Sequence, residues 1–203
     1  MSDISSGRLL RSNTRGCVVG CRVSRIPPAL GSMVYIPAGD TRIFGVVHDI
    51  HIDDDGLVRQ LAAAGSVPDE IVRDNRDNRN VPVEMSILFT GYEKAGVIFH
   101  SLPPRPPLSL DEMYICSEED LLAFTKDRRF SYVRHILAEE DAPTGDLLCA
   151  HLVSAQNAQR GAGSPNWIYQ ALREIIILLR SDPARMSEVL GAVNDALPTN
   201  PRG

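Results

Sequence analysis

The chain has 203 residues, 43% of them apolar and 23% charged, and a formal net charge of −5. A chain this long buries roughly 70% of its extended surface and needs neither a disulfide framework nor a structural metal to hold a core. The acidic balance excludes the broad basic footprint that nucleic acid or an anionic membrane requires. The positive charge is nearly all arginine, since Lys94 and Lys126 are the only lysines.

Residues 1–14 are polar apart from one short apolar patch and are expected to form a flexible tail or an edge element. Cys17, Val19, Cys21 and Val23 alternate with smaller or polar residues and predict a first strand, turned at Ile26-Pro27-Pro28. Gly31–Ile36 predicts a second strand, closed by a turn at Pro37-Ala38-Gly39-Asp40. Arg42–Ile52 predicts a longer one, with Phe44, Val46, Ile50 and Ile52 on one face and His48 among them. Gly45, on the other face, marks a bulge or a close backbone approach. Beyond Asp53-Asp54-Asp55-Gly56, Leu57–Ala64 has helical composition and Val67–Val72 adds a further helical turn. Arg73–Asn80 reads as a solvated loop.

The clearest period-two run is Val81, Val83, Met85, Ile87 and Phe89, interrupted only by Leu88. Tyr92–Gly96 supplies a turn, and Val97–Leu102 returns as the second arm of a hairpin. Pro103–Pro107 cannot continue a ladder and reads as a connector between barrel and helical bundle. Met113–Ile115 offers a last short strand. Many short strands joined by Gly/Pro turns predict a small closed barrel rather than a parallel sheet.

After Cys116 the periodicity changes to helical. Ser117 and Asp120 have the spacing of a capping box for a helix through about Thr125. Phe130, Val133 and Leu137 carry a second helix. Thr144 is placed to cap a third, with Leu148, Leu152 and Ala155 on its buried stripe. Ser164-Pro165 predicts a helix through Arg180, and Asp182-Pro183 a final one ending near Leu197. The fold class expected is therefore α+β. A barrel of about six strands spans 15–116, with a helical insertion near 57–73, and a helical bundle spans 117–198.

Cys17 and Cys21 lie four apart in a strand, about 13 Å along it, too far for a disulfide, so Cys17, Cys21, Cys116 and Cys149 are expected as reduced thiols. No leader pattern or apolar run of about 20 residues is present, and the expected location is cytoplasmic, with no membrane contact. Neither lysine follows a glycine, so a phosphate-cradling Gly-Lys-Ser/Thr loop is excluded. So are a Gly-x-Ser-x-Gly elbow and a metalloprotease histidine pair. His48 and His51 point to opposite faces of a regular strand and cannot chelate together, and His48 reads as a core histidine. The run from His51 to Gly56 matches a calcium loop poorly, with Ala62 where a bidentate Glu belongs. No catalytic residue, cofactor site or metal site is expected. Arg73, Arg76 and Arg79 are the candidates for nucleic-acid contact, offset by Asp74 and Asp77.

The motifs Gly16-Cys17-Val18-Val19, Arg42-Ile43-Phe44-Gly45-Val46-Val47-His48-Asp49-Ile50 and Asn80-Val81-Pro82-Val83-Glu84 carry a resemblance. Leu102–Pro107 and Tyr114-Ile115-Cys116-Ser117 extend it. Over roughly Gly16–Ser117 the chain resembles the HAS-barrel family, the module shared by HerA-type DNA-translocating ATPases and the α and β subunits of rotary ATP synthases. The resemblance implies a barrel that arranges subunits in a ring. Here the ATPase core that normally follows is replaced by helices, so no catalytic residue is transferred.

Three functions follow as expectations. The first is a non-enzymatic bacterial assembly or docking module that self-associates or joins a separately encoded HerA- or FtsK-like motor in DNA processing. The second is a nucleic-acid-binding barrel using Arg73, Arg76 and Arg79. The third, an enzyme, requires several of Asp49, His51, Asp53 and Glu84 to converge in a concave pocket.

Overall fold

A computed structural model describes residues 5–21, 27–53, 56–77, 82–127, 129–140 and 142–196. The alternating segments form seven strands: β1 (Gly7–Ser12), β2 (Gly16–Cys21), β3 (Met33–Ala38), β4 (Thr41–Ile52), β5 (Val83–Lys94), β6 (Val97–Phe99) and β7 (Glu112–Ile115). Neighbours run β2-β1-β7-β3-β4-β5, and β2 pairs again with β5. Six antiparallel strands therefore close into a barrel, and β6 extends from β5 outside the ring. Closure removes the unpaired edges that a sheet of such short strands would otherwise expose.

β1 corrects the expectation of a tail. Its single apolar anchor, Leu9, is fully buried in the barrel, and the strand is bonded to β2 on one side and β7 on the other. Pairing on both edges holds a strand whose composition alone would not predict one.

The barrel has two apolar faces. Leu9, Val19, Val34, Ile36, Ile43, Val47, Met85, Ile87 and Phe89 fill its interior. Met33, Tyr35, Phe44, Val46 and Leu88 point outward and are buried under the helices. Leu88 thus interrupts the alternation of β5 because it serves the second face. The expected face of β4 needs correction. Phe44 and Val46 do share the helix-covered side, but Ile50 packs on the barrel interior and Ile52 is exposed. The cause is a bulge: Val47 pairs with Ile87 and Asp49 with Ser86, so His48 is an extra residue and the alternation flips. Gly45 does lie at a bulge and a close approach, since a Cβ there would stand 2.6 Å from Ile87 Cγ2.

The turns are tighter than expected. Ala38 pairs with Thr41, leaving only Gly39-Asp40 between strands. Lys94 pairs with Val97, leaving Ala95-Gly96, both at positive φ as a two-residue hairpin turn requires. Pro103–Pro107 joins β6 to β7 within the barrel half, where Ser12 Oγ donates to the Pro107 carbonyl at 2.5 Å; it does not bridge to the helices.

Between β4 and β5 lie α1 (Leu57–Ala63) and α2 (Asp69–Asp77). α2 occupies part of the stretch expected as a solvated loop. Asp69 and Glu70 in its first turn complement the helix dipole, and arginine is a good helix former, so charge alone did not argue for a loop.

The C-terminal layer holds α3 (Glu118–Thr125), α4 (Val133–Leu137), α5 (Thr144–Gly161), α6 (Trp167–Leu178) and α7 (Pro183–Ala196). None of the described helices is long and apolar enough to cross a membrane. The capping box at α3 forms as expected: Ser117 Oγ accepts from Asp120 N at 3.1 Å, and Ser117 N donates to the Asp120 carboxylate at 3.1 Å. Ser117→Ala should cost about 1 kcal/mol in urea unfolding. An unchanged midpoint would show that the cap carries no weight.

Leu148, Leu152 and Ala155 are buried on α5 as the pattern predicts, but Thr144 lies inside the helix and donates to the Glu139 and Ala142 carbonyls. Ser164-Pro165 precedes α6 rather than opening it, because a tertiary group caps that helix. Gln156, on α5, accepts from Ile168 N at 2.9 Å and donates to Pro165 O at 3.0 Å. Asp182 caps α7 through Arg185 N at 3.1 Å.

All four cysteines are free thiols. Burial pushes the Cys17 thiol up to about 12 and the Cys116 thiol up as well, so neither ionises near neutrality.

Candidate functional site

Strand register gathers Arg11, Asp49, His51 and Glu84 on one stretch of outer wall. Asp49 and His51 alternate along the end of β4 on the face opposite the interior, and Asp53 follows directly after the strand. Glu84 of β5 lies directly across from His51, and Ser86 across from Asp49. Val18 and Gly20 of β2 flank the same two β5 positions, and Arg11 of β1 pairs with Val18. The His48 bulge sets this phase, because without it Asp49 and His51 would face the barrel interior.

The contacts are close. His51 Nδ1 lies 3.2 Å from Asp49 Oδ2, and His51 Nε2 lies 3.7 Å from Glu84 Oε2. Arg11 Nη1 reaches the same Glu84 oxygen at 3.4 Å. His51, Asp53 and Glu84 each offer a ligating atom within 4.8 Å of the others. Beside this cluster a cleft of about 350 Å³ opens between the β1–β2 turn, the β4 bulge and the end of the α4 segment. Arg15, His48, Ser86 and Glu139 line it, with Arg15 and Glu139 paired at 3.9 Å.

Of the four residues several of which an enzyme reading required to converge, His51, Asp53 and Glu84 do meet, with Asp49 against the imidazole. They meet on the barrel wall, outside the lining of the cleft. The spacing of Asp49 and His51 was a usable signal, since residues two apart in a strand share a face. Glu84 was among the residues expected to converge, but Arg11 was not legible, because its approach depends on inter-strand register. Arg73 is exposed on α2, Arg76 lies further along the same helix, and Arg79 falls outside the described residues.

Elsewhere several titratable groups hold the helices to the barrel. Arg42 on β4 donates to Asp120 at 2.7 Å and to Glu93 at 3.2 Å, and lies 4.2 Å over the Tyr35 ring. Burial works to raise the Asp120 carboxyl, but hydrogen bonds from Arg42 and Ser117 outweigh it and hold the group below the usual carboxylate range. His100 lines a second cleft, of about 320 Å³, with Asp127 and Arg134. Its Nε2 donates to the Phe124 carbonyl at 2.9 Å and its Nδ1 lies 3.6 Å from Asp127, so neither nitrogen faces the cleft unengaged. Burial lowers its pKa despite both partners.

His151, fully buried on α5, lies 3.3 Å from the Gly31 carbonyl through Nδ1 and 3.1 Å from the Tyr132 hydroxyl through Nε2. A neutral ring satisfies both: Nδ1–H donates to the carbonyl and Nε2 accepts from the phenol. This pair ties the loop before β3 to the helices.

The chain matches no protein-family model and no curated protein.

Proposed function

We propose that the protein is a non-enzymatic assembly module whose barrel wall seats a second copy of the chain, in the service of a HerA- or FtsK-like ATPase motor. The motor follows from the resemblance to the HAS-barrel family alone. The assembly half has support from one structural observation: Leu10, Leu108 and Leu110 stand 40%, 73% and 66% exposed on neighbouring backbone. Ser109 Oγ donates to the Leu10 carbonyl at 3.4 Å, and Leu110 N donates to the Leu9 carbonyl at 2.8 Å, so the loop lies along β1.

Two local devices turn Leu10 and Leu110 outward. Leu10 is the extra residue of a bulge between Leu9 and Arg11. Leu110 has a φ of 72°, a left-handed conformation that costs a non-glycine residue about 1 kcal/mol. Strain spent to expose an apolar side chain fits a docking surface better than a surface meant only for water. The Arg8–Glu112 ion pair at 2.6 Å, with Arg8 also donating to the Leu110 carbonyl, supplies the polar border usual around such a patch.

Sedimentation velocity tests this reading. The wild-type chain should sediment as an oligomer at micromolar concentration, and the double variant Leu108→Asp/Leu110→Asp should sediment as a monomer with unchanged far-ultraviolet circular dichroism. A wild-type monomer at every concentration, or an oligomer indifferent to both substitutions, contradicts it.

A further inference from the structure

We propose that His51, Asp53 and Glu84 form a binding site for one zinc-class divalent cation on the outer wall of the barrel. One imidazole nitrogen and two carboxylates converge there from two paired strands, their ligating atoms within 4.8 Å of one another. Its three ligands are different residues from Leu10, Leu108 and Leu110 of the assembly reading, although Leu10 lies over Gly20, the cross-strand partner of Glu84.

The separation of His51 Nε2 from Glu84 Oε2 is the most telling distance. At 3.7 Å it is too long for a hydrogen bond. Two ligands each about 2.1 Å from a tetrahedral zinc stand roughly 3.4 Å apart, so a small rotation of either side chain seats an ion between them. The Asp53 carboxylate lies within 4.8 Å of both other ligating atoms, and a rotamer change on the barrel surface brings it closer. Backbone pairing holds His51 and Glu84 as direct cross-strand partners, and Asp53 follows immediately after the strand end.

The far side of the ring is prepared as well. Asp49 Oδ2, 3.2 Å from His51 Nδ1, accepts a hydrogen bond from that nitrogen. It thereby selects the tautomer whose Nε2 lone pair faces Glu84. A carboxylate behind a ligating imidazole is the usual orienting arrangement for zinc. Glu84 is largely shielded, its side chain 15% exposed, and Arg11 is the cation now bound to it. Nitrogen in the set disfavours calcium and magnesium, and the absence of thiolate from it disfavours the softer ions. Three protein ligands leave a fourth position for water.

Calorimetric titration of the 203-residue chain with zinc chloride, after treatment with chelator, tests the site. One ion per chain should bind with micromolar affinity. His51→Ala and Glu84→Gln should each weaken binding about tenfold or more, and Asp49→Asn about tenfold through the ring orientation alone. Arg11→Gln should tighten binding severalfold, because it removes the competing cation from Glu84. A second measurement needs no variant: zinc should slow the modification of His51 by diethyl pyrocarbonate, read by mass spectrometry of the wild-type chain. Absence of saturable binding, undiminished binding by both His51→Ala and Glu84→Gln, or unprotected His51 in saturating zinc overturns the proposal.

Discussion

Replacing Phe124 by Ala should lower the unfolding free energy by about 3–5 kcal/mol. Phe124 is fully buried on α3, where the helical layer meets the barrel wall. Its ring lies 5.0 Å from Phe44 on β4, 5.2 Å from Tyr132 and 4.6 Å from the His100 ring. The barrel is shaped to receive it: a Cβ on Gly91 would stand 2.9 Å from Phe124 Cε2. Deleting the ring leaves a cavity bounded by strands and aromatic rings on both sides, which cannot easily collapse. Because barrel residues and helix residues share one core cluster, the variant should still unfold in one transition, shifted to lower urea. A loss under about 1 kcal/mol, or separate transitions for strands and helices, would contradict a shared core.

The second large effect is on acid stability. Burial drives the His151 pKa down to about 4 in the folded chain, against about 6.5 when unfolded, with the Gly31 carbonyl opposing only in part. As pH falls below 6.5 the unfolded chain takes up a proton at this position while the folded chain does not. The stabilisation is therefore complete above pH 6.5 and is lost progressively as pH falls towards 4, by about 3 kcal/mol in all. His100 and His135 are displaced in the same direction by burial and add to the slope. His151→Phe should be less stable than wild type at pH 7.5, since the Tyr132 hydroxyl and Gly31 carbonyl lose their partner. It should also show a flatter loss of stability between pH 6.5 and 4. Urea midpoints across that range measure both, and an unchanged pH slope in the variant would show that His151 is not the main sensor.

The features legible in the sequence were local ones. Period two in Val83–Phe89, the Ser117 box and the Asp182-Pro183 start each depend on a few adjacent residues and appear where the pattern puts them. The departures share one physical cause, that a partner elsewhere in the chain decides. A bulge at His48 exists only as a mismatch of count between β4 and β5, so the flip that sends Ile50 inward and Asp49 outward has no signature in β4 alone. β1 is a strand because β2 and β7 pair with it, and α6 opens at Trp167 because Gln156 of another helix caps it. The same holds for the cation site. Asp49 and His51 share a face by simple alternation, but Glu84 joins them only through register.

The barrel wall as an assembly surface is tested most directly by hydrogen–deuterium exchange on the wild-type chain, compared at dilute and concentrated protein. Backbone amides of β1 around Leu10 and of residues 108–110 should become protected as concentration rises, while the exposed α6 face bearing Tyr169, Ile176 and Ile177 exchanges unchanged. Protection confined to α6, or exchange independent of concentration everywhere, would contradict the assignment of the contact to the barrel.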